Sequence, residues 1–257
     1  MSEVTNVSSD YDGLLAETVT IRGYDGDVIP AYFARPLGAG PFPGIVVIHH
    51  MPGWDEWSKE VTRTFARHGY SALCPHLHHR DAPGASSDDA AKAAREAGGA
   101  PDARVVGDVA AAVEVLRALP NGNGKVGVIG HCSGGRHAWL VACEVDIDAA
   151  IDCYGGGVVM PADRLSDRMP VAPIDLTPGM RCPLLGLFGK DDQHPSPEQV
   201  EQQEAALTAA GKNFEFHSYA DAGHAFFCTT RPMYRVEAAL EGWERIWDFL
   251  GRTLQTT

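Results

Sequence analysis

Positive charge is scarce in this chain: 21 lysines and arginines stand against 34 aspartates and glutamates, a formal net charge of −13 over 257 residues. Nucleic acid and anionic membranes need a basic footprint, so the imbalance excludes both as main partners. A small anionic substrate needs only one or two local arginines and stays open. No apolar run approaches the length that spans a bilayer. The N-terminus, MSEVTNVSSDYDG, lacks the basic-then-apolar order of a secretion signal, so a cytoplasmic protein is expected. The six cysteines (74, 132, 143, 153, 182 and 228) include no CxxC pair, which excludes a tight disulfide framework. Most are expected to be buried small hydrophobes. Internal repeats and low-complexity linkers are missing too. The expected organisation is a flexible tail over 1–14 and one domain over 15–257.

What is present alternates. VIPAYFARP (28–36) reads as a strand, and GIVVIHH (44–50) is a continuous apolar run expected of a strand buried on both faces. EWSKEVTRTFARHGY has helical spacing and stops at Gly69. YSALCP is a further short strand. The segment 80–102 is alanine-rich between Gly and Pro, and reads as a solvated connecting helix or a lid. ARVVGDVAAAVEVLRALP is an amphipathic helix closed by an NGNG turn, and KVGVIG (125–130) is again a buried strand. IDAAIDCYGG, PLLGLFG and FEFHSYA supply strands; PSPEQVEQQEAALTAAG and the C-terminal PMYRVEAALEGWERIWDFLGRTL supply helices. Such alternation predicts an α/β fold, a mostly parallel sheet with helices on both faces.

The informative stretch is VGVIGHCSGGRH (126–137), a strand, a Gly-x-Cys-x-Gly turn and a helix from about Gly134. A sharp strand-to-helix turn presents its central residue as an exposed nucleophile, and Gly130 and Gly134 spare it collisions. At a helix N-terminus, free N–H groups can hold an oxyanion and the dipole favours a thiolate. Glycine-rich turns also bind phosphates, but GHCSGG does not fit GxGxxG. Ser133 is a poor rival nucleophile, because no glycine stands two residues before it.

A nucleophile needs a base, and the base an orienting acid, in the chain order nucleophile, acid, histidine. After Cys132 come a buried strand and Asp191–Asp192, then a strand and a loop carrying His224. Asp192 is preferred as the acid, with Asp191 as the alternative. His217 lies inside a strand pattern, and His194 is too close to the acids to take their orientation easily.

With these residues assembled, the chain resembles the dienelactone hydrolase family of α/β-hydrolases. The likeness runs through FPGIVVIHHMPGWDEW, GYSALCPHLHHRDAPG, VGVIGHCSGG, GLFGKDDQHPSP and YADAGHAFF. It implies a single-domain α/β-hydrolase fold and a cysteine-dependent ester or lactone hydrolase. Its residues would be Cys132 as nucleophile, Asp192 as orienting acid, His224 as base, and an oxyanion hole from the N–H groups of Met51 and Ser133. The alternatives are a thioesterase or serine-type relative, or a non-catalytic ligand-binding or redox-thiol protein on the same scaffold.

The chain also departs from the family. His50 stands where the family has a glutamate that helps switch the cysteine between thiol and thiolate. Arg80 matches one arginine that holds a substrate carboxylate, whereas Cys228 occupies the place of the second and Arg231 is displaced. The expected substrate-contacting set is His50, Trp54, Arg80, Tyr154 and Phe226. Trp54 and Trp57 serve the pocket or cap a helix, and Phe226 and Phe227 serve the pocket or the core. Histidines 49, 50, 76, 78 and 79 read as a pocket wall at strand ends in preference to a metal site. No metal or other cofactor is expected. The expected partner is a small-molecule ester or lactone, and the protein a monomer or homodimer.

Overall fold

In the computed structural model, which describes residues 13–255, eight strands form one sheet. They are β1 (Leu14–Arg22), β2 (Val28–Pro36), β3 (Phe42–Ile48), β4 (Ser71–Pro75), β5 (Gly122–His131), β6 (Ala149–Cys153), β7 (Leu184–Gly189) and β8 (Phe214–Tyr219). Their spatial order is β1-β2-β4-β3-β5-β6-β7-β8. The pairings of β2 with β1 and with β4 are antiparallel, and all the others are parallel. The expected α/β architecture is therefore present, with an antiparallel edge.

Alternation along β3 shows how the sheet is covered. Ile45 and Val47 join a core with α1 (Glu56–Arg67) and α6 (Val236–Thr253), through Trp57, Val61, Phe65, Ile246, Phe249 and Leu250. Val46 and Ile48 join the opposite core, with α3 (Asp102–Arg117) and α4 (Ser133–Glu144). A strand covered on both faces needs apolar side chains at odd and even positions alike, which is why GIVVIHH shows no alternation. Each such side chain contributes about 1.5–3 kcal/mol on burial. Three helices start on side-chain caps, two of them in the chain that leaves β3 and β7. Asp55 accepts the Ser58 N–H at the start of α1, and Ser196 and Gln199 form a capping box at α5 (Pro197–Ala209).

Three expectations change. The tail assigned to 1–14 lies outside the described residues up to residue 12, but Leu14 already opens β1. That strand escaped notice because Ile21 is its single buried side chain; its nine-residue register against β2 holds it. β5 begins at Gly122, not Lys125, and so absorbs most of the NGNG turn, with Gly122 paired to Phe42. The alanine-rich segment does hold a helix, α2 (Ser87–Glu96), but it is not solvated all round. Ala90, Ala91 and Ala94 are buried, and Ala91 sits against Gly53.

Candidate active site

The site gathers where parallel strands end. β5 passes into α4 through Cys132, whose backbone sits at φ 56°, ψ −122°. A non-glycine residue there carries strain of about 1–3 kcal/mol, which its surroundings must hold. They do: Cys132 N–H donates to the Cys153 carbonyl at 3.0 Å, and the Cys132 carbonyl accepts from Gly135 at 2.9 Å. The packing explains the glycines. A methyl on Gly130 would run into the Gly134 carbonyl, and one on Gly134 into the Ile48 carbonyl. Behind the turn, Arg136 on α4 forms a bidentate pair with Asp102 of α3 at 2.6 and 2.9 Å, with both side chains buried.

β7 ends at Gly189, and the next turn splits the two aspartates. Asp191 faces solvent, whereas Asp192 is 3% exposed. Asp192 Oδ1 accepts the His194 N–H at 2.8 Å, and Oδ2 lies 2.8 Å from His224 Nδ1. His224 hangs from the loop after β8, which Asp221 (φ 56°) and Ala225 (φ 63°) bend sharply.

The His224 imidazole and the backbone N–H groups of Ser133 and Met51 all act on the Cys132 thiol in the direction of the thiolate. Burial alone would raise the Cys132 thiol. His224 and those two N–H groups outweigh it and bring the thiol below its ordinary value. Burial would lower His224, but Asp192 and Cys132 lift it to about 10. Both shifts favour a thiolate–imidazolium pair. The other five cysteines are buried.

The residues expected around substrate divide. Tyr154 lies at the site: it is strained at φ 45°, and its ring meets His224 edge-on at 5.2 Å. Its hydroxyl is buried without a hydrogen-bond partner. The other four are used elsewhere. Arg80 is not offered to the pocket. It donates to Asp108 at 2.8 and 3.1 Å, to Asp27 at 2.6 Å and to the Tyr24 carbonyl at 3.2 Å. Asp108 is fully buried on α3 and needs a cation, which the nearby arginine supplies. Phe226 is 0% exposed, packed on Tyr154, Phe227 and Tyr219 as core. Trp54 is also core: its indole N–H donates to the Cys74 carbonyl at 2.8 Å, and its ring stacks on His76. His50 turns to Asp55, 2.7 Å away, and to the Trp57 ring. Burial opposes the Asp55 carboxylate, but His50 and the α1 cap bring it down to about 2.

The other histidines are largely interior. His49 bonds the His50 carbonyl through Nδ1 and the Leu77 N–H through Nε2, and its ring meets His78 at 4.6 Å. Burial, reinforced by neighbouring histidines, pushes His76 down to about 4 and His78 to about 3. Among the described residues, no group of three or more His, Cys, Asp or Glu side chains is arranged to hold a metal ion.

Two residues at the site, Gln193 and Asp152, were missed by the sequence reading, and a third, His194, was considered only as a rival base. A cleft of about 410 Å³ is lined by Asp191, Asp192, Gln193, His194 and His224, so Gln193 and His194 wall it. Asp152, at the end of β6, is fully buried; its Oδ1 accepts the Gly155 N–H at 2.7 Å and its Oδ2 has no partner. Burial raises its carboxyl to about 7, against the Gly155 N–H and the field of His224. A lone aspartate inside the apolar AAIDC was the available signal.

A parallel sheet with a strained cysteine turn after β5, an acid after β7 and a histidine after β8 defines an α/β-hydrolase. The sequence model of the dienelactone hydrolase family matches residues 29–254, and the chain belongs to that family, whose members hydrolyse ester and lactone bonds. A putative carboxymethylenebutenolidase of Methylorubrum extorquens is 38% identical over 251 residues, covering 95% of this chain and 84% of that protein. The carboxymethylenebutenolidase of Pseudomonas putida is 33% identical, over 92% of this chain and 97% of its own. The crystal structure of a putative dienelactone hydrolase from Klebsiella pneumoniae superposes with a TM-score of 0.85 at 30% identity, covering 94% of this chain and all of that one.

Proposed function

We propose that the protein hydrolyses carboxylic esters or lactones through a Cys132–His224–Asp192 triad and a thioester acyl-enzyme. One observation carries this reading: Asp192 Oδ2 lies 2.8 Å from His224 Nδ1, at the ends of strands that also place Cys132 on its strained turn, and the field of that imidazole lowers the Cys132 thiol.

Cys132 thiolate attacks the carbonyl carbon, and the oxygen takes up negative charge against the N–H groups of Ser133 and Met51. The tetrahedral adduct collapses and expels an alkoxide or enolate, which takes the proton of His224. The acyl group remains on Cys132 as a thioester. Neutral His224 then removes a proton from water, whose oxygen attacks the thioester, and collapse expels the thiolate beside a renewed imidazolium. Asp192 keeps the proton on Nδ1 so that Nε2 does the exchange. A thiolate leaves more easily than a poor alkoxide, so the cysteine suits activated esters and enol lactones.

The test is single-turnover hydrolysis of 4-nitrophenyl acetate with intact-mass analysis after acid quench. Wild type is expected to show a burst of nitrophenolate and an acetyl group on Cys132, and Cys132→Ala neither. An undiminished rate in Cys132→Ala, with the fold intact by circular dichroism, sinks the proposal.

A further inference from the structure

We infer that His49 is a positioning residue for the oxyanion hole: its uncharged imidazole ties the turn carrying Met51 to the loop after β4 and so fixes the direction of the Met51 N–H. The inference rests on the preceding assignment of Cys132 and of the Met51 N–H, and adds the side chain that holds that donor in place.

The partners of the ring dictate its form. The turn after β3 closes on the His50 carbonyl, which accepts the Gly53 N–H at 2.9 Å. His49 Nδ1 lies 2.9 Å from the same oxygen. A carbonyl can only accept, so Nδ1 carries the proton and donates. Across the ring, Nε2 lies 3.1 Å from the Leu77 nitrogen. That N–H can only donate, so Nε2 keeps its lone pair; the same N–H is shared with the Pro75 carbonyl, also at 3.1 Å. One species satisfies both ends, the neutral Nδ1–H tautomer. A second proton would set Nε2–H against the Leu77 N–H and cut the tie. The neighbours of the ring oppose that proton. The rings of His78 and His76 are centred 4.6 and 6.4 Å away, and His50 and His137 of α4 bear on it too. Nδ1 of His76, His78 and His137 is buried without a partner. Behind them, Arg95 and Arg104 act on His78, Arg136 on His137, and Lys59, His79 and Asp81 on His76. The acids are engaged: Asp55 with His50, Asp81 with Arg104 and Asp102 with Arg136. Burial and the adjacent rings hold His49 well below the ordinary histidine range.

What the tie holds is the donor turn. The His49 backbone runs against the nucleophile turn, since a methyl on Gly134 would lie 2.9 Å from the His49 carbonyl. At the far end, a methyl on Gly53 would run into Ala91 of α2. Met51 lies in the chain between these packed points. Its carbonyl accepts from Arg95 at 3.4 Å, a long contact, whereas its N–H acts on the Cys132 thiol in the direction of the thiolate. The imidazole bonds the carbonyl that closes this turn and an amide of the loop after β4, so the placement of Met51 is set by both segments together. Losing an aligned oxyanion donor costs on the order of a hundredfold in rate. The thiolate itself would still have His224 and the Ser133 N–H in its favour.

Two rates test this on each variant: acylation of Cys132 by 4-nitrophenyl acetate, read as the nitrophenolate burst, and alkylation of Cys132 by iodoacetamide, which builds no oxyanion. His49→Asn keeps a donor near the Nδ1 position, His49→Gln an acceptor near the Nε2 position, and His49→Ala neither. Acylation is expected to fall on the order of a hundredfold in His49→Ala and about tenfold in the other two, with alkylation within about threefold of wild type throughout. An acylation-to-alkylation ratio unchanged in the folded variants overturns the inference, whether both rates hold or both fall together, because a merely structural histidine would leave that ratio alone. The wild-type ring gives a reading that needs no variant to fold. Nitrogen-15 NMR of labelled histidine should show His49 with a protonated Nδ1 and a bare Nε2 from pH 8 down to pH 5. The opposite tautomer, or titration in that range, overturns the inference as well. Wild type that gains no acetyl group on Cys132, or a burst that survives in Cys132→Ala, brings down the triad assignment and this inference with it. A normal wild-type burst with an unchanged ratio brings down the role of His49 alone.

Discussion

Replacing Asp192 by asparagine keeps an acceptor for the His194 N–H but removes the negative charge 2.8 Å from His224 Nδ1. Against burial, Asp192 and Cys132 together lift that imidazole from 6.5 to about 10. Solvent reaches 34% of the His224 side chain, which screens the pair, so we assign the carboxylate about 2–3 kcal/mol of the effect. Without it, the thiolate–imidazolium form loses roughly 30- to 150-fold against the thiol–imidazole form. The assay is alkylation of Cys132 by iodoacetamide between pH 5 and 9, followed by intact mass; the other five cysteines are buried. The apparent ionisation of the thiol should move up, because the imidazolium that favours the thiolate is itself less stable. At pH 6, alkylation should be slower than in wild type. Ester hydrolysis should fall further, because an asparagine amide can turn the imidazole to the wrong tautomer. If Asp192→Asn is alkylated at the wild-type rate at pH 6, Asp192 does not set the charge state of this site.

Two further predictions concern stability. The Asp152 carboxyl rises from 3.8 to about 7 in the folded protein, so its contribution is present below 3.8 and lost as pH climbs through 7. Asp152→Asn, which keeps an oxygen for the Gly155 N–H, should gain up to about 4 kcal/mol over wild type at pH 8 and almost nothing at pH 4 in urea melts. Equal differences at both pH values would show that Asp152 stays ionised. Gly130→Ala drives a methyl into the Gly134 carbonyl, and should cost about 3 kcal/mol or more in the same melts together with Cys132 alkylation at neutral pH. A variant as stable as wild type would mean that the turn relaxes freely.

Much of the fold was legible because parallel strands need long apolar runs and helices need periodic ones. GIVVIHH, KVGVIG and PLLGLFG all became strands buried along most of their length. β1 was not legible, since an edge strand with one buried side chain is held by backbone pairing that leaves no hydrophobic signature. The order of Cys132, Asp192 and His224 was also readable, because each follows a strand and the parallel sheet brings those ends together.

By itself, then, the sequence determined the local geometry: a glycine-flanked turn that forces one cysteine into a strained conformation, and strand ends that carry an acid and a histidine. Only the tertiary structure decided which charges meet. Arg80 found Asp108 and Asp27, 28 and 53 positions away, and so left the pocket. Asp192 went inside while Asp191 stayed in water. The reason is physical. Turn chemistry acts over a few bonds and is written in neighbouring residues, whereas a buried charge takes whichever partner the packed chain brings within about 3 Å.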